Sequence, residues 1–296
     1  MNSTPGAEGS PVVTVLMAAR NGAAFLCEAI ESILGQTLSN FEFVIVNDAS
    51  TDNTRAIIQS YNDRRIRLIE NASPMGLAAS LNRGVEVANG TYIARMDQDD
   101  ISFPHRLERQ VQFLETHQDV CVCGSWAGLI DEGNRPHGVR RKPSGDEISA
   151  GYWLTSPIIH PSAMIRRAQL GDLRYDETLR CTEDYDLWFR LARHGKIDNI
   201  PEPLLSYRVH AKSLSNQQRA RQLQETYAVF VRYTGITGVS HEDFLALIHA
   251  SYDRNPVARF MLSRRFSRIT GVPYKWRLPD DLSYFRGWVA NACRRG

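Results

Sequence analysis

The sequence has no long apolar run and few cysteines, and these absences exclude several classes of protein. No stretch of about 18 apolar residues occurs, so an ordinary membrane-spanning helix is not expected. The first eleven residues are small and polar, without the basic start and apolar segment of a secretory signal. None of the five cysteines stands in a C-x-x-C pair, as is typical of reduced thiols in a cytosol. We therefore expect a cytoplasmic protein.

Two glycine-rich phosphate-binding motifs are also absent. The first predicted strand is not followed by G-x-G-x-x-G, and G-x-x-x-x-G-K-[ST] occurs nowhere in the chain. These loops cradle phosphates in dinucleotide-binding folds and in P-loop enzymes. Neither fold is supported, and a nucleotide would have to be held in another way.

The sequence does contain a regular alternation of strands and helices in its first hundred residues. Apolar, β-branched runs predict strands, and apolar residues at helical spacing between them predict helices. The predicted strands are 12–18, 41–46, 66–69 and 91–96, and the predicted helices are 25–34, 54–60 and 77–88. This alternation is typical of the α/β class, with a mostly parallel, Rossmann-like sheet and helices on both faces.

The pattern becomes mixed after residue 100. The predicted elements there are a helix at 103–116, a strand at 120–130, a loop at 131–149, a helix at 184–193 and a strand at 204–209. Beyond residue 215 the pattern is helical to the end. We predict an α/β domain over residues 10–215 and a helical, basic extension over residues 216–296.

Polar side chains follow three of the predicted strands at the point where each strand ends. The clusters are Ala19-Arg20-Asn21-Gly22, Asn47-Asp48 and Asp97-Gln98-Asp99-Asp100. Ligands of open α/β sheets bind outside the carboxyl ends of the strands, because loops can converge there without disturbing the ladder. The three clusters are therefore candidates for one binding site.

Asp97, Asp99 and Asp100 place three carboxylates within four residues, where they repel one another unless a cation or hydrogen bonds compensate. Oxygen ligands on a loop suit Mg²⁺ or Mn²⁺, and the diphosphate of a nucleotide-sugar would complete such a site. The alternative is a solvated turn that caps the next helix, with Asp100 or Ser102 as the capping residue.

The run Y-I-A-R-M-D-Q-D-D at 92–100, followed by Pro104, Arg106 and Gln110, resembles glycosyltransferase family 2. Further similar motifs are V-N-D-A-S-T-D-N-T at 46–54 and A-N-G-T-Y at 88–92, which look like nucleotide-binding elements, E-D-Y-D-L-W at 183–188 and Y-R-V-H at 207–210. The resemblance covers about residues 10–215. It implies the glycosyltransferase A fold, inverting chemistry, and Mn²⁺ or Mg²⁺ as cofactor.

The same resemblance implies roles for residues on the donor side. Asp48 would accept a hydrogen bond from the nucleotide base, and the loop Ala18, Ala19 and Arg20 would line the base pocket. Asp97 would contact the ribose or the sugar, and Asp99 would bind the metal. Strand one departs from the commoner family text, with M-A-A-R-N at 17–21 where a proline and an aromatic are frequent.

On the acceptor side, Asp184 matches the family's general base, and Glu183 would support it. The alternative is that the acidic residues only favour a helix N-terminus. His210 is a candidate second contact to the metal or the diphosphate, and His160 and Trp153 are candidates for acceptor binding. The alternative for His210 is a structural role, and the alternative for His160 is packing beside a turn. Trp188 could also stack on a sugar ring, with core packing as its alternative.

The function that follows is transfer of one sugar, with inversion, from a nucleotide-diphosphate sugar to a glycan, lipid-linked or protein acceptor. By family habit the donor is a UDP- or dTDP-sugar. The alternatives are a non-catalytic nucleotide-sugar or glycan-binding module on the same fold, and a nucleotidyltransferase. The latter would need a glycine-rich basic loop after strand one, which A-A-R-N-G at 18–22 matches poorly.

The last forty residues are strongly basic. Residues 257–296 hold nine Lys or Arg and two Asp or Glu, so the rest of the chain carries a net charge of −5 although the whole is +2. Aromatic residues interleaved with these charges suit peripheral contact with an anionic membrane at its inner face. A helical subdomain packed on the catalytic domain is the alternative. Nucleic acid is not expected as a partner, because nothing upstream supplies a matching basic groove.

Overall fold

The structure, a computed structural model, describes residues 10–145, 148, 153–211, 213 and 217–252. The chain divides into two compact units, one of Met1–Ser149 and Thr155–Val229, the other of Ala150–Leu154 and Phe230–Gly296. The predicted domain boundary at residue 215 stays a prediction. The last forty residues, 257–296, with the membrane contact predicted for them, lie outside the described residues.

The first half of the sheet is parallel, as the alternation predicts. Its strands lie in the order β3, β2, β1, β4, and all three pairings are parallel. The strands are β1 (Val13–Ala19), β2 (Phe41–Asn47), β3 (Ile66–Glu70) and β4 (Tyr92–Met96). β2 and β4 are almost wholly buried, as is typical of strands covered on both faces. The predicted α/β class is confirmed.

The second half of the sheet is mixed. β4 pairs antiparallel with β8, β8 antiparallel with β6, β6 parallel with β9 and β9 antiparallel with β5, while β7 pairs with β6. These strands are β5 (Ile101–Ser102), β6 (Val120–Ile130), β7 (Pro136–Arg140), β8 (Met164–Arg166) and β9 (Lys196–Arg208). The prediction of a loop over residues 131–149 was therefore wrong at β7, whose five residues are all exposed and show no apolar alternation.

β9 begins at Lys196, earlier than the strand predicted at 204. Pro201 and Pro203 interrupt the strand pattern, since proline cannot donate to a ladder. The structure accommodates them at an irregularity where the register with β6 shifts between Ser125 and Trp126. The strand therefore continues through a stretch that reads as a break.

Helices cover both faces of the parallel half. Val15 and Met17 of β1 share a core with Ile30 and Leu107 from helices α1 and α4, and all four are fully buried. The helices are α1 (Leu26–Leu34), α2 (Thr54–Ser60), α3 (Leu77–Val87), α4 (Arg106–Thr116), α5 (Arg167–Leu170), α6 (Glu183–Leu191), α7 (Arg219–Thr234) and α8 (His241–Tyr252). Each buried aliphatic side chain of this core contributes about 1.5–3 kcal/mol to folding.

α3 covers the opposite face of β1, where it approaches closely. A Cβ on Gly84 would lie 2.1 Å from Cδ1 of Leu16, so the glycine permits this approach. In the second unit, the rings of Phe230 and Phe244 lie 5.0 Å apart and are buried. None of the helices in the described part of the chain is both long and apolar enough to cross a membrane.

Candidate active site

Asp48 lies at the carboxyl end of β2 and is almost fully buried. It accepts hydrogen bonds from the Asn71 side chain (2.7 Å) and from the backbone N–H groups of Met75 (2.7 Å) and Gly76 (2.9 Å). Burial alone would raise the pKa of Asp48, but these hydrogen bonds and the charge of Arg20 lower it below its ordinary value. Asp48 is therefore an ionised acceptor that also fixes the loop 71–76, a role that sequence reasoning missed.

The loop after β1 lies beside Asp48. Ala18 and Ala19 end the strand, and Nη1 of the half-exposed Arg20 lies 3.7 Å from Oδ2 of Asp48. The side chain of Gln98 accepts from the Arg20 N–H (2.8 Å) and donates to its carbonyl (3.1 Å). Gln98 thus joins the loop after β1 to the acidic loop 97–100, which follows β4. Its position between two aspartates was the signal in the sequence that could have identified it.

The acidic loop after β4 brings three carboxylates together. Oxygens of Asp97, Asp99 and Asp100 lie within 4.8 Å of one another. Asp99 Oδ2 lies 2.8 Å from Nε2 of His210. Asp100 is buried, with Oδ1 accepting from the Arg208 N–H (2.8 Å), while its Oδ2 has no hydrogen-bond partner among the described residues. Burial and the neighbouring carboxylates raise the pKa of Asp100 well above its ordinary value.

These residues fit a divalent cation. The cluster offers oxygen ligands with one imidazole nitrogen beside them, a set that suits Mg²⁺ or Mn²⁺. The buried Oδ2 of Asp100 has no hydrogen-bond partner among the described residues, and a cation beside it would supply the missing interaction. The alternative of a capping turn is wrong, because α4 begins only at Arg106 and no side-chain hydrogen bond caps it.

Arg208, at the end of β9, holds the loops around this cluster, and sequence reasoning missed it. Its guanidinium is fully buried and donates to the Asp99 carbonyl (2.8 Å), to Asn134 Oδ1 (2.6 Å) and to Glu28 Oε2 (2.9 Å). It also lies over the ring of Phe25, 4.4 Å from the centroid. One side chain thus ties the acidic loop to α1 and to the β6–β7 turn.

Glu183 and Asp184 form a second acidic group at the start of α6. Glu183 is 4% exposed, and burial together with the charge of Asp184 raises its pKa to about 8. Burial also raises the pKa of Asp184, against which hydrogen bonds from the Tyr185 N–H and the Ser156 hydroxyl act. Ser156 Oγ lies 3.0 Å from Asp184 Oδ2. The charge of Asp184 in turn raises the pKa of Asp97, so the two acidic groups share one region.

Arg95 lies between the two acidic groups and is a second residue that sequence reasoning missed. It belongs to β4, is 3% exposed and forms an ion pair with Asp97. Its charge also acts to lower the pKa of Glu183 and Asp184. The available signal was a charged residue inside an otherwise apolar strand.

His160 contacts the second acidic group. Its Nδ1 lies 3.8 Å from Glu183 Oε1, and its Nε2 lies 3.1 Å from the Tyr175 hydroxyl. Burial, with the charge of Arg95, lowers the pKa of His160 well below its ordinary value, so the ring is neutral. Trp188 is fully buried and donates from Nε1 to Ser156 Oγ (3.1 Å), so it packs in the core.

Two further sequence elements were predicted to belong to the site. Trp153 belongs to the Ala150–Leu154 segment of the second unit, and its acceptor role stays a prediction. The segment A-N-G-T-Y at 88–92 lies at the N-terminal end of β4, the end opposite the acidic loop. A Cβ on Gly90 would lie 2.3 Å from the Thr14 nitrogen, so this motif serves the close packing of β1 and β4.

Sequence comparison relates the chain to a known enzyme family. Residues 14–174 match the family model of glycosyl transferase family 2. The uncharacterized glycosyltransferase MJ1057 of Methanocaldococcus jannaschii is 40% identical over 216 residues, which cover 69% of this chain and 73% of that protein.

Two solved structures show the same fold. S. aureus TarS 1–349 in complex with UDP-GlcNAc superposes with a TM-score of 0.60 at 16% identity, covering 87% of this chain and 81% of that one. The mannosyltransferase PcManGT from Pyrobaculum calidifontis, in complex with GDP-Man and Mn²⁺, gives a TM-score of 0.60 at 19% identity, covering 95% and 81%. The predicted glycosyltransferase A fold is confirmed. The chain therefore belongs to glycosyl transferase family 2, and the protein is a glycosyltransferase.

Proposed function

We propose that the protein transfers a sugar, with inversion, from a nucleoside-diphosphate sugar to an acceptor hydroxyl, with Asp184 as general base. The observation that carries this proposal is the meeting of two acidic groups around Arg95. The acidic loop has the donor set of a cation site, and the Glu183–Asp184 pair has carboxyls with raised pKa values. Perturbed carboxyls of this kind are typical of proton-transfer sites.

The donor side is formed by Ala18, Ala19, Arg20, Asp48 and Asp97. Asp48 is ionised and lies beside the β1 loop, as suits an acceptor of a hydrogen bond from a nucleotide base. The TarS and PcManGT structures hold UDP-GlcNAc and GDP-Man, which supports a nucleoside-diphosphate sugar in this fold. The proposed donor is a UDP- or dTDP-sugar.

The metal would be held by Asp97, Asp99 and Asp100, with His210 as a further ligand or as the partner that orients Asp99. When bound, Mn²⁺ or Mg²⁺ supplies positive charge that stabilises the departing diphosphate. The Mn²⁺ complex of PcManGT supports this cofactor. Chelation should then lower donor turnover.

The acceptor side contains the proton transfer. An Asp184 oxygen takes the proton of the acceptor hydroxyl while the oxygen of that hydroxyl attacks the anomeric carbon. The bond from this carbon to the diphosphate oxygen breaks, and its electron pair leaves with the nucleoside diphosphate. The Ser156 hydroxyl orients the Asp184 carboxylate. Glu183, with a pKa of about 8, holds a proton at neutral pH and so leaves Asp184 as the base of the pair. His160 lies on the same side and is proposed to contact the acceptor.

A panel of nucleotide-sugars tests this proposal without a known acceptor. The full chain is incubated with each donor in Mn²⁺, and release of the nucleoside diphosphate and the shift in melting temperature are measured. We expect one donor to give both hydrolysis and stabilisation, with hydrolysis lost in EDTA. Stabilisation without turnover, persisting when a mixed panel of sugar acceptors is added, would instead indicate a non-catalytic nucleotide-sugar-binding module.

A further inference from the structure

Lys142 is a half-buried lysine that has no carboxylate within ion-pair distance among the described residues. Its ammonium group donates to the backbone carbonyl of Ser156 at 2.5 Å. Burial, together with the charge of Arg140, lowers the pKa of Lys142 to about 8, against the opposing effect of Asp184. A cation in such a place is disfavoured when nothing balances it, and an anion beside it would remove that cost.

The main chain around Lys142 is fixed by the sheet. Trp126 of β6 donates from Nε1 to the Lys142 carbonyl (3.0 Å), and Asn199 of β9 donates from Nδ2 to the Pro143 carbonyl (2.7 Å). The lysine is thus held in place before any ligand arrives. Preorganisation of this kind is typical of binding sites, because less entropy is lost on binding.

Two arginines precede Lys142 and are exposed. The Arg140 guanidinium lies 4.4 Å from the ring centroid of Tyr207, and that of Arg141 lies 5.2 Å from the centroid of Trp126. These cation–π contacts place both side chains along β6 and β9. The segment 140–142, here named the basic segment, therefore offers three consecutive cations in defined positions.

Ser156 connects the basic segment to the proposed base. Its carbonyl oxygen accepts from Lys142, and its hydroxyl lies 3.0 Å from Asp184 Oδ2. If Asp184 faces the acceptor hydroxyl, as the proposed function requires, then Lys142 lies on the acceptor side of the site. Lysine binds phosphate as a point charge, and arginine binds it through its planar fork.

We propose that the basic segment binds a phosphate group that the acceptor carries next to the hydroxyl receiving the sugar. This inference rests on the proposed function, and it gives the acceptor a chemical class, that of an anionic, phosphate-bearing glycan or glycolipid. The phosphate of the acceptor would then supply the negative charge that no carboxylate of the described residues places within ion-pair distance of Lys142.

The test uses the full chain and the donor identified by the panel. The acceptors are three alkyl glycosides of one sugar, in which the link to the alkyl chain is neutral, carries a phosphodiester or carries a carboxylate. We expect the wild type to prefer the phosphodiester over the neutral acceptor by about tenfold or more in kcat/KM, as for one charge-assisted contact. Lys142→Met should lose most of that preference. The control Lys196→Met removes an exposed lysine that pairs with Asp119, and it should keep the preference.

Further results of the same experiment also bear on the inference. Equal preference for the carboxylate would overturn the assignment of a phosphate and leave only an anion subsite that does not select for it. Lys142→Arg keeps the charge, so its retention of the preference would show that loss in K142M is not a folding defect. No preference in the wild type, or an unchanged preference in K142M, would overturn the inference.

A weakened Kd for the nucleoside diphosphate in K142M would also overturn it, by assigning the lysine to the donor. The failure of the proposed function itself looks different. In that case the wild type shows no donor turnover with any acceptor or with water.

Discussion

Glu183 and Asp184 are neighbours in sequence, but their surroundings give the two carboxyls different proton affinities. The Ser156 hydroxyl and the Tyr185 N–H favour the ionised form of Asp184. Glu183 is buried, and its Oε2 has no hydrogen-bond partner in the described part of the chain. The two adjacent carboxyls can therefore share one bound proton, held by Glu183. Asp184 is then free to accept a second proton, that of the acceptor hydroxyl.

The raised pKa of Glu183 predicts how stability depends on pH. A carboxyl with a folded-state pKa of about 8 and an unfolded value near 4.5 stabilises the fold fully below pH 4.5. That contribution is lost as the pH rises through the folded-state pKa. In EDTA, Glu183→Gln should therefore melt at a higher temperature than the wild type at pH 8–9 and at nearly the same temperature at pH 4.

Thermal melts of both proteins across this range give the measurement. Thr178→Ala is a control that removes a polar side chain from an exposed turn. If the difference between E183Q and the wild type does not grow between pH 4.5 and pH 8, the carboxyl of Glu183 does not have the raised pKa described above.

Among the secondary-structure elements, the C-terminal end of β9 connects the loops of the site to one another. Arg208 joins the acidic loop, α1 and the β6–β7 turn through one buried guanidinium. The backbone N–H of the same residue donates to Asp100. Loss of the Arg208 side chain should therefore affect both the stability of the fold and the cation site.

We predict that Arg208→Met lowers the free energy of unfolding by roughly 1–3 kcal/mol, because the Asp99 carbonyl, Asn134 and the half-exposed Glu28 carboxylate lose the donor that Arg208 supplies. Mn²⁺-dependent binding of the donor should weaken in parallel. Arg109→Met is the matched control, since Arg109 is half exposed and forms a surface ion pair with Glu202. Urea unfolding curves that coincide for R208M and the wild type would show that Arg208 does not stabilise the fold by connecting these loops.

The close packing of Gly90, next to β4, against β1 gives a second prediction about these elements. A Cβ at position 90 would lie 2.3 Å from the Thr14 nitrogen and 2.7 Å from the Val13 carbonyl carbon, both of which are backbone atoms. Gly90→Ala should thus destabilise the protein by about 1–3 kcal/mol through overpacking. In Gly138→Ala the nearest atom is the Leu129 side chain at 3.6 Å, so this control should be near neutral. Equal melting temperatures for the two variants would show that the backbone around position 90 shifts to accept the added methyl group.

At the scale of the whole molecule, the sequence predicts the parallel half of the sheet well and the mixed half poorly. Long apolar runs between helical segments identify β1 to β4, because such strands are buried on both faces. β5 and β8 contain two and three residues, which is too short for a periodic signal. The two prolines of β9 read as a break because sequence does not show the irregularity that accommodates them.

The site divides in the same way. Asp48 and the acidic loop could be chosen as candidates because each follows a strand in the sequence, whereas the Glu183–Asp184 pair opens a helix and was predicted only from the family resemblance. The roles of Arg95 and Arg208 could not be predicted: each stands out as a charge within a strand, but the residues it contacts come from distant parts of the chain. Arg208, for example, binds a carbonyl 109 positions away in the chain. The predicted roles of His160, His210 and Trp153 stay predictions.

In the proposed function, the acidic loop holds the cation and the donor, while Asp184 serves only the proton transfer. The most direct test is the Kd of the nucleoside diphosphate, measured by calorimetry in Mn²⁺ and in EDTA, for Asp99→Asn, Asp184→Asn and the exposed control Asp172→Asn. We predict that D99N binds in Mn²⁺ as weakly as the wild type does in EDTA.

D184N and D172N should keep the wild-type Kd, and D184N alone of these two should lose turnover, by roughly 10²–10⁴-fold. A D99N protein whose binding still strengthens with Mn²⁺ as in the wild type, or a D184N protein that loses binding while it retains turnover, would contradict the account.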